Sequence, residues 1–254
     1  IDETTISNLV QLEYNAFGPA VVPICSFSLR NNAIDDFEGS YIKLSDFKGV
    51  NNQAPKTLEA INNQTCGWFY KARQIDFEKI PGNPIGYWLG KRWFTIFEKF
   101  EPLKSIVSAS EGIKSGKNAR FLKRWYETMS GDINLTSDNY DTKWVRHHKG
   151  GKVRKFYGNN EWIIFWNEDG KEISEYPSSG IQGKRHFNKD LISWGKITSA
   201  GFTARFVDKG NLFDSGSPAI GLKGTELSYI LGFFNTKIVN KLVKLLNPTM
   251  NVQV

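Results

Sequence analysis

Residues 21–29 of the chain have the sequence VVPICSFSL, an apolar run of branched and aromatic side chains that is typical of a β-strand. Two similar runs flank it, at residues 6–14 (ISNLVQLEY) and 40–44 (SYIKL). The turn formers Gly18 and Pro19 separate the first two runs. We therefore predict three strands at the edge of a mixed sheet. Because three strands are too few to close a domain, we expect the remaining strands of that sheet outside this sequence.

The composition is that of a folded protein. The chain has 254 residues, 40% of them apolar and 14% aromatic, enough for the core of one large or two small domains. No uncharged run reaches the roughly 18 residues that cross a bilayer, so we expect no membrane partner. With only Cys25 and Cys66, a disulfide framework is not expected, which favours a cytoplasmic location. Because the sequence begins Ile-Asp-Glu-Thr, we interpret it as a piece of a longer protein.

Positive charge is concentrated in the C-terminal part of the chain. The formal net charge is +7; residues 1–60 hold four Lys/Arg and eight Asp/Glu, a net of −4, so residues 61–254 carry +11. A basic excess confined to one part indicates a polyanion partner, and nucleic acid is favoured over a membrane because no separate basic amphipathic anchor is present. A basic but inert surface is the alternative that composition leaves open.

The remaining sequence predicts two helices. A polar stretch begins near residue 50 and contains the predicted domain boundary, at residue 60. Asn83 and Pro84 then resemble an N-cap and a first helical residue, and apolar residues recur at helical spacing as far as Pro102. Residues 226–246 show the same spacing and predict the second helix.

The segment between these helices is predicted to be mainly β. Residues 162–166 and 201–207 are short strand-like runs. Residues 167–170 (NEDG) are predicted to form a hairpin turn.

A first basic cluster occupies residues 112–125 (GIKSGKNARFLKRW). Its cations are Lys114, Lys117, Arg120, Lys123 and Arg124. A phosphate-binding P-loop needs four residues between its glycines and Ser or Thr after its lysine, whereas three separate Gly112 from Gly116 and Asn118 follows Lys117. We interpret the segment as a turn whose glycines allow close approach to DNA, with Lys117 and Asn118 directed at bases. A solvated loop on a structural segment is the alternative.

A second basic cluster occupies residues 143–155 (KWVRHHKGGKVRK). Its cations are Lys143, Arg146, Lys149, Lys152, Arg154 and Lys155, and no acidic residue lies among them. Such a run repels itself unless counter-charge is near, and phosphates would supply it. We expect Lys152, Arg154 and Lys155 mainly to hold phosphates.

Aromatic and histidine side chains are interleaved with the second cluster. Trp144, Phe156 and Tyr157 could either pack in the core or stack on a base. No zinc-ligand spacing includes His147 and His148, which we therefore expect to face phosphates or solvent.

A third, weaker group is Lys184-Arg185-His186, followed by Ser193-Trp194 and by residues 201–206 with Arg205. A basic hairpin tip would explain this group equally well. No nucleophile elbow, zinc-protease or dinucleotide motif occurs in the sequence, so we predict that this chain carries no catalytic residue and no metal site. The Asp-x-Lys tripeptides at residues 141–143 and 169–171 leave a metal-dependent nuclease as an alternative.

Several ordered segments resemble the C-terminal part of PglX-type adenine-specific DNA methyltransferases, which belong to BREX phage defence and are similar to Type IIG restriction–modification enzymes. The segments are residues 9–30 (LVQLEYNAFGPAVVPICSFSLR), 80–88 (IPGNPIGYW), 110–127 (SEGIKSGKNARFLKRWYE), 148–170 (HKGGKVRKFYGNNEWIIFWNEDG), 192–206 (ISWGKITSAGFTARF) and 231–254 (LGFFNTKIVNKLVKLLNPTMNVQV). The family's Asn-Pro-Pro-Tyr motif is absent, because Asn83-Pro84 continues with Ile85 and Asn247-Pro248 with Thr249.

The resemblance implies an α+β fold: edge strands of a Rossmann-like methyltransferase sheet in residues 1–60, then a mainly β, TaqI-like DNA specificity domain with flanking helices in residues 61–254. The chain would bind double-stranded DNA and pack against the N-terminal methyltransferase domain of the same protein. It would hold no cofactor itself, whereas the intact protein would use S-adenosylmethionine to methylate adenine. The residues expected at DNA are Lys114, Lys117, Asn118, Arg120, Lys123, Arg124, Arg146, Lys149, Lys152, Arg154, Lys155, Lys184 and Arg185. A protein-interaction module of a defence complex remains a further alternative.

Overall fold

The computed structural model describes residues 3–17, 22, 24–135, 140–197, 201–222 and 227–246. The strands are β1 (Thr5–Gln11), β2 (Cys25–Arg30), β3 (Glu38–Lys43), β4 (Phe69–Arg73), β5 (Val107–Ser110), β6 (Ile113–Lys114), β7 (Leu122–Arg124), β8 (Ile133–Asn134), β9 (Trp144–His148), β10 (Trp162–Phe165), β11 (Gly180–Ile181), β12 (Leu191–Trp194), β13 (Ala204–Val207), β14 (Leu212–Phe213) and β15 (Ala219–Leu222). The helices are α1 (Val50–Asn62), α2 (Lys91–Lys99), α3 (Asn118–Phe121), α4 (Asn167–Glu175), α5 (Leu227–Phe234) and α6 (Lys237–Leu246), with 3₁₀ turns at Gln74–Lys79, Leu103–Ser105, Trp125–Glu127, Ser130–Asp132 and Lys184–His186. No helix within these described ranges is long and apolar enough to span a membrane.

The chain divides into two compact units, Ile1–Glu101 and Pro102–Val254. The first unit contains a four-stranded sheet in the order β2-β1-β3-β4. Strand β1 is antiparallel to β2 and parallel to β3, so the sheet is mixed, as the sequence predicted. The fourth strand, β4, and helix α1 come from the stretch in which we had placed a boundary.

Aromatic packing extends the first unit beyond residue 60. Tyr41 on β3 stacks on Tyr87 with ring centroids 4.9 Å apart, and Phe77 packs edge-on against Tyr41. The Tyr87 hydroxyl donates a hydrogen bond to Gln11 on β1. These contacts hold Phe77 and Tyr87 on the N-terminal sheet, and the compact unit ends at Glu101. The functional division between residues 60 and 61 remains a prediction.

The first predicted helix is shorter than the sequence indicated. Asn83 has a φ of 49° and does not cap a helix, and α2 begins only at Lys91. The intervening loop carries Tyr87 into the aromatic cluster. A helix from Pro84 onward was therefore a wrong prediction for residues 84–90.

The described residues of the second unit form three sheets. One has the order β14-β9-β10-β7 with β8 beside β9, one is the pair β11-β6, and one has the order β13-β12-β15-β5. The mainly β character predicted for the middle of the chain is confirmed. The hairpin turn predicted at residues 167–170 is instead the first part of α4: Glu168, Asp169 and Gly170 adopt left-handed φ angles, and no strand directly follows to pair with β10.

Two helices replace the single C-terminal helix that the sequence predicted. The chain breaks after α5 at Asn235, whose amide accepts a hydrogen bond from the Ala204 nitrogen and donates one to the Ala204 oxygen. Asn235 thus pairs with the open edge of β13. Apolar residues of α5 and α6 pack on the same sheet around Ile192, Phe202 and Ile230. Glu226, the first residue of the predicted helix, lies outside the described residues.

Candidate nucleic-acid interface

The glycines of the first basic cluster approach the protein itself. A Cβ on Gly112 would lie 2.0 Å from the Phe213 carbonyl oxygen, so β14 leaves no room for a side chain there. Gly116 has a φ of 72°, and a Cβ there would lie 2.9 Å from the Pro177 oxygen. The interpretation that these glycines serve close approach to DNA is therefore unnecessary: both are explained by internal packing.

Asn118 and Lys117 are exposed at the beginning of α3, beyond this turn. The Ser115 hydroxyl donates a 2.6 Å hydrogen bond to the Asn118 side-chain oxygen. That oxygen already has a partner, whereas a bidentate contact with adenine needs both the oxygen and the NH₂ group. Lys114 on β6 is exposed as well.

Three cations of the first cluster have partners within the protein. Arg120 forms a 2.9 Å ion pair with Glu172, and Arg124 forms a 3.4 Å ion pair with Glu161. The Lys123 ammonium lies 4.8 Å from the centre of the Trp144 ring. The two ion pairs and the ring contact already balance or shield the charges of these three cations, which we had expected to contact phosphates.

The fold brings the first two basic clusters onto one sheet. Lys123 on β7 and Arg146 on β9 are both paired with Ile163 of the central strand β10. Directly paired residues of antiparallel strands share a face, so the two cations lie on the same face of the sheet. Trp144 on this face is only 5% exposed, so it packs in the core and does not offer a base-stacking surface.

Both histidines of the second cluster are buried, with 1% of His147 and none of His148 exposed. The expectation that they face phosphates or solvent was wrong, because β9 lies between β10 and β14 inside the sheet. Burial lowers the pKa of His147, and burial together with the charge of Arg205 lowers the pKa of His148 to about 3. Both imidazoles are therefore neutral at pH 7.

Lys149 is part of this buried network and is not directed at solvent. Its ammonium lies 2.7 Å from Asp214, whose carboxylate is also 3.6 Å from His147. Burial alone would raise the pKa of Asp214, but His147 and Lys149 hold it below its ordinary value. We had expected a phosphate to balance the charge of Lys149. Asp214, which is distant in the sequence, balances it instead.

The loop between β9 and β10, residues 149–161, is the protruding part of the second cluster. We call residues 152–157 (KVRKFY) the basic tip; all six are exposed. Within the described part of the chain, no carboxylate forms an ion pair with Lys152, Arg154 or Lys155. Phe156 and Tyr157 end the tip, so two of the three aromatic residues of this cluster are available at the surface.

Arg205 on β13 belonged to the weak third group in the sequence but was not among the residues expected at DNA. It is 1% exposed, and its Nε and Nη2 atoms have no hydrogen-bond partner in the described structure. Burial and the positive charge of Arg154 lower its pKa, yet an arginine stays charged in a protein. The only sequence signal was an arginine inside the apolar strand ARFV. A buried cation thus adds positive potential beneath the basic tip.

The third basic group is divided between surface and core. Lys184 and Arg185 are both exposed, whereas His186 is buried. Arg185 donates hydrogen bonds to His186 Nε2 and to the Ala109 oxygen. Burial lowers the pKa of His186 to about 4, with Arg185 and Lys189 acting in the same direction.

Neither Asp-x-Lys tripeptide lies in a metal-binding group. Lys171 forms a 3.4 Å ion pair with Glu168, and Asp169 lies in the left-handed turn at the start of α4. Across the described residues, no three His, Cys, Asp or Glu side chains are grouped as metal ligands would be.

Two curated proteins are similar to nearly the whole chain. It is 32% identical over 266 residues to the adenine-specific methyltransferase PglX of Lacticaseibacillus casei (strain Zhang). It is 30% identical over 258 residues to the adenine-specific methyltransferase BrxX of Escherichia coli O9:H4 (strain HS). These alignments include 98% and 99% of this chain but only 22% and 21% of the relatives, so the chain spans about a fifth of their length. No protein-family model matches it.

A solved structure shares the fold. The Type IIL restriction-modification enzyme MmeI, determined in complex with DNA, matches with a TM-score of 0.50. The match covers 95% of this chain and 32% of that enzyme at 12% sequence identity, so it concerns the fold alone.

Proposed function

Because this chain belongs to the PglX-like BREX methyltransferases, we propose that it is the part of such a protein that recognises duplex DNA in a sequence-specific way. The intact protein would bind S-adenosylmethionine and methylate an adenine that is flipped out of the duplex. Residues 61–254 would grip the DNA and read its sequence as a TaqI-like specificity domain. The DNA complex of MmeI, whose fold is similar, supports this proposal.

The basic tip is the observation that carries the proposal. Lys152, Arg154 and Lys155 are exposed side by side, and no carboxylate among the described residues balances them. Arg205 adds a buried positive charge behind them. The compact unit that contains the tip, Pro102–Val254, has 23 Lys/Arg against 14 Asp/Glu, a net charge of +9. Phosphates of a duplex would supply the missing counter-charge.

The other residues predicted at DNA would contribute to binding to different degrees. Exposed cations without an ion pair in the described structure, Lys114, Lys117 and Lys184 among them, would contact phosphates directly. Arg120, Arg124 and Lys149, which already have carboxylate partners, would contribute less. Asn118 could donate from its NH₂ group to a base, but its oxygen is bonded to Ser115.

The N-terminal sheet is proposed to continue into the methyltransferase domain. Every residue of its edge strand, β2, is exposed, including Phe27 and Leu29. An apolar open edge is a template for pairing with another strand. In a longer protein containing the methyltransferase domain, β2 amides should therefore exchange hydrogen more slowly than in this chain, and equal exchange would contradict the pairing.

The proposed DNA binding is tested by fluorescence anisotropy with a labelled duplex over a range of salt. If the chain neutralises about six phosphates, log K falls with log salt with a slope near −5. A protein-interaction module would bind DNA weakly and without sequence preference. A slope indistinguishable from zero would overturn the proposal.

A further inference from the structure

Phe156, at the end of the basic tip, has an unusual backbone and an unusual environment. Its φ is 71°, in the left-handed region that bulky L-residues rarely occupy, and its side chain is 53% exposed. Its ring makes no aromatic contact with any other ring in the described part of the chain. Core packing therefore does not explain why phenylalanine is held in this conformation.

Two hydrogen bonds fix the backbone of Phe156 against the open edge of β13. The Phe156 nitrogen donates to the Ala204 oxygen at 3.2 Å, and the Phe206 nitrogen donates to the Phe156 oxygen at 2.8 Å. These bonds fix the backbone, while more than half of the side chain stays exposed. Strained residues that the surroundings hold in place are concentrated at ligand-binding sites.

The residues next to Phe156 in the chain include two exposed cations. Arg154 and Lys155 precede it, and a Cβ on Gly158, whose φ is 124°, would lie 2.9 Å from Arg154 Cδ, so glycine makes room for the arginine stem. The Tyr157 hydroxyl donates a 2.7 Å hydrogen bond to Asp208, which anchors the Tyr157 side chain. Of the two exposed aromatic side chains, Phe156 is the one without a polar anchor.

We infer that Phe156 is a wedge that inserts at a base step of duplex DNA and unstacks it, while Arg154 and Lys155 hold the flanking phosphates. This inference rests on the proposed function, because it requires the tip to lie against DNA. Apolar side chains that insert between base pairs kink the duplex and read its deformability rather than its base edges. The ligand is a stacked base pair step, and the specificity it adds is for steps that unstack easily.

The inference is tested with duplexes that carry the fluorescent base 2-aminopurine at successive positions of a sequence selected by its binding to the chain. Unstacking raises the fluorescence of this base. We expect one position to brighten when the wild-type chain binds and to remain dark with Phe156→Gly. The variant should bind about tenfold more weakly, as loss of one stacked contact predicts, with an unchanged salt slope.

Two controls separate a wedge from a structural role. Phe156→Gly should not lower the melting temperature substantially, because glycine adopts the left-handed conformation without steric cost. Tyr126→Ala removes another exposed aromatic side chain, 65% accessible, and should leave the 2-aminopurine signal unchanged.

The possible failures are distinguishable. If the wild-type chain binds with a steep salt slope but no position brightens, or if Phe156→Gly brightens the duplex as the wild type does, the wedge is overturned and DNA binding stands. An equal loss of signal in Tyr126→Ala would also overturn it. Absence of any salt-dependent binding would instead refute the proposed function on which the wedge rests.

Discussion

Removal of two unpaired cations from the basic tip should weaken the salt dependence of DNA binding far more than removal of two paired ones. The perturbation is the double variant Arg154→Ala/Lys155→Ala. Neither residue forms an ion pair within the described structure, so each would release counterions from a phosphate when DNA binds. At about 0.9 per phosphate, the slope of log K against log salt should become less steep by about 1.8. Between 50 and 200 mM salt, the wild type should then lose about 12-fold more affinity than the variant.

The matched control is Arg120→Ala/Arg124→Ala, which removes the same formal charge. Glu172 and Glu161 already balance these arginines, so we expect the slope to change by less than one. Fluorescence anisotropy at four or more salt concentrations measures both slopes. Equal changes in the two variants, or no change in the tip variant, would refute the assignment of phosphate contacts to unpaired cations.

Three further predictions concern stability and cofactor binding. His148 is buried and its pKa is about 3, against an ordinary value of about 6.5, so its imidazole binds a proton in the unfolded chain but not in the folded chain between these values. The contribution of His148 to stability is therefore present above pH 6.5 and should decrease by about 2 kcal/mol between pH 7 and pH 5. Urea denaturation should show this loss, reduced in His148→Gln, and a flat wild-type profile would contradict neutral burial. Gly112→Ala should cost about 1 to 3 kcal/mol because its Cβ meets the Phe213 backbone, whereas Gly131→Ala, with nothing within 4 Å, should be nearly neutral. Calorimetry should detect no S-adenosylmethionine binding by this chain, since the family's catalytic motif is absent from it; micromolar binding would show that the segment is wrongly placed in the parent protein.

The strands could be predicted from sequence where composition alone decides them. The runs that became β1, β3, β10 and β13 are short and rich in branched or aromatic residues, which suit a pleated, half-buried surface. Helix α1 could not be predicted from the sequence, because tertiary contacts fix its polar residues. The side chain of buried Gln53 accepts a hydrogen bond from the Glu13 nitrogen and donates one to the Phe47 oxygen.

The basic clusters show where sequence reasoning about a site fails. A run of cations with no acid among them looks uncompensated, yet Asp214 lies 65 residues after Lys149 in the chain and 2.7 Å from it in space. Only the folded structure shows that Lys149 forms an ion pair, whereas Arg154 and Lys155 form none with the described residues. The same holds for His147 and His148, which are buried on an inner strand because β9 pairs with both β10 and β14.

Selection from a randomised duplex pool tests the central claim most directly. The complete 254-residue chain would be bound to the pool at two salt concentrations, and the retained duplexes sequenced. If recognition is sequence-specific, one motif should be enriched at both salt concentrations. The enrichment should be stronger at the higher salt concentration, where phosphate contacts alone no longer retain a duplex. Retention without any enriched motif at either concentration would contradict the claim that this chain reads DNA sequence.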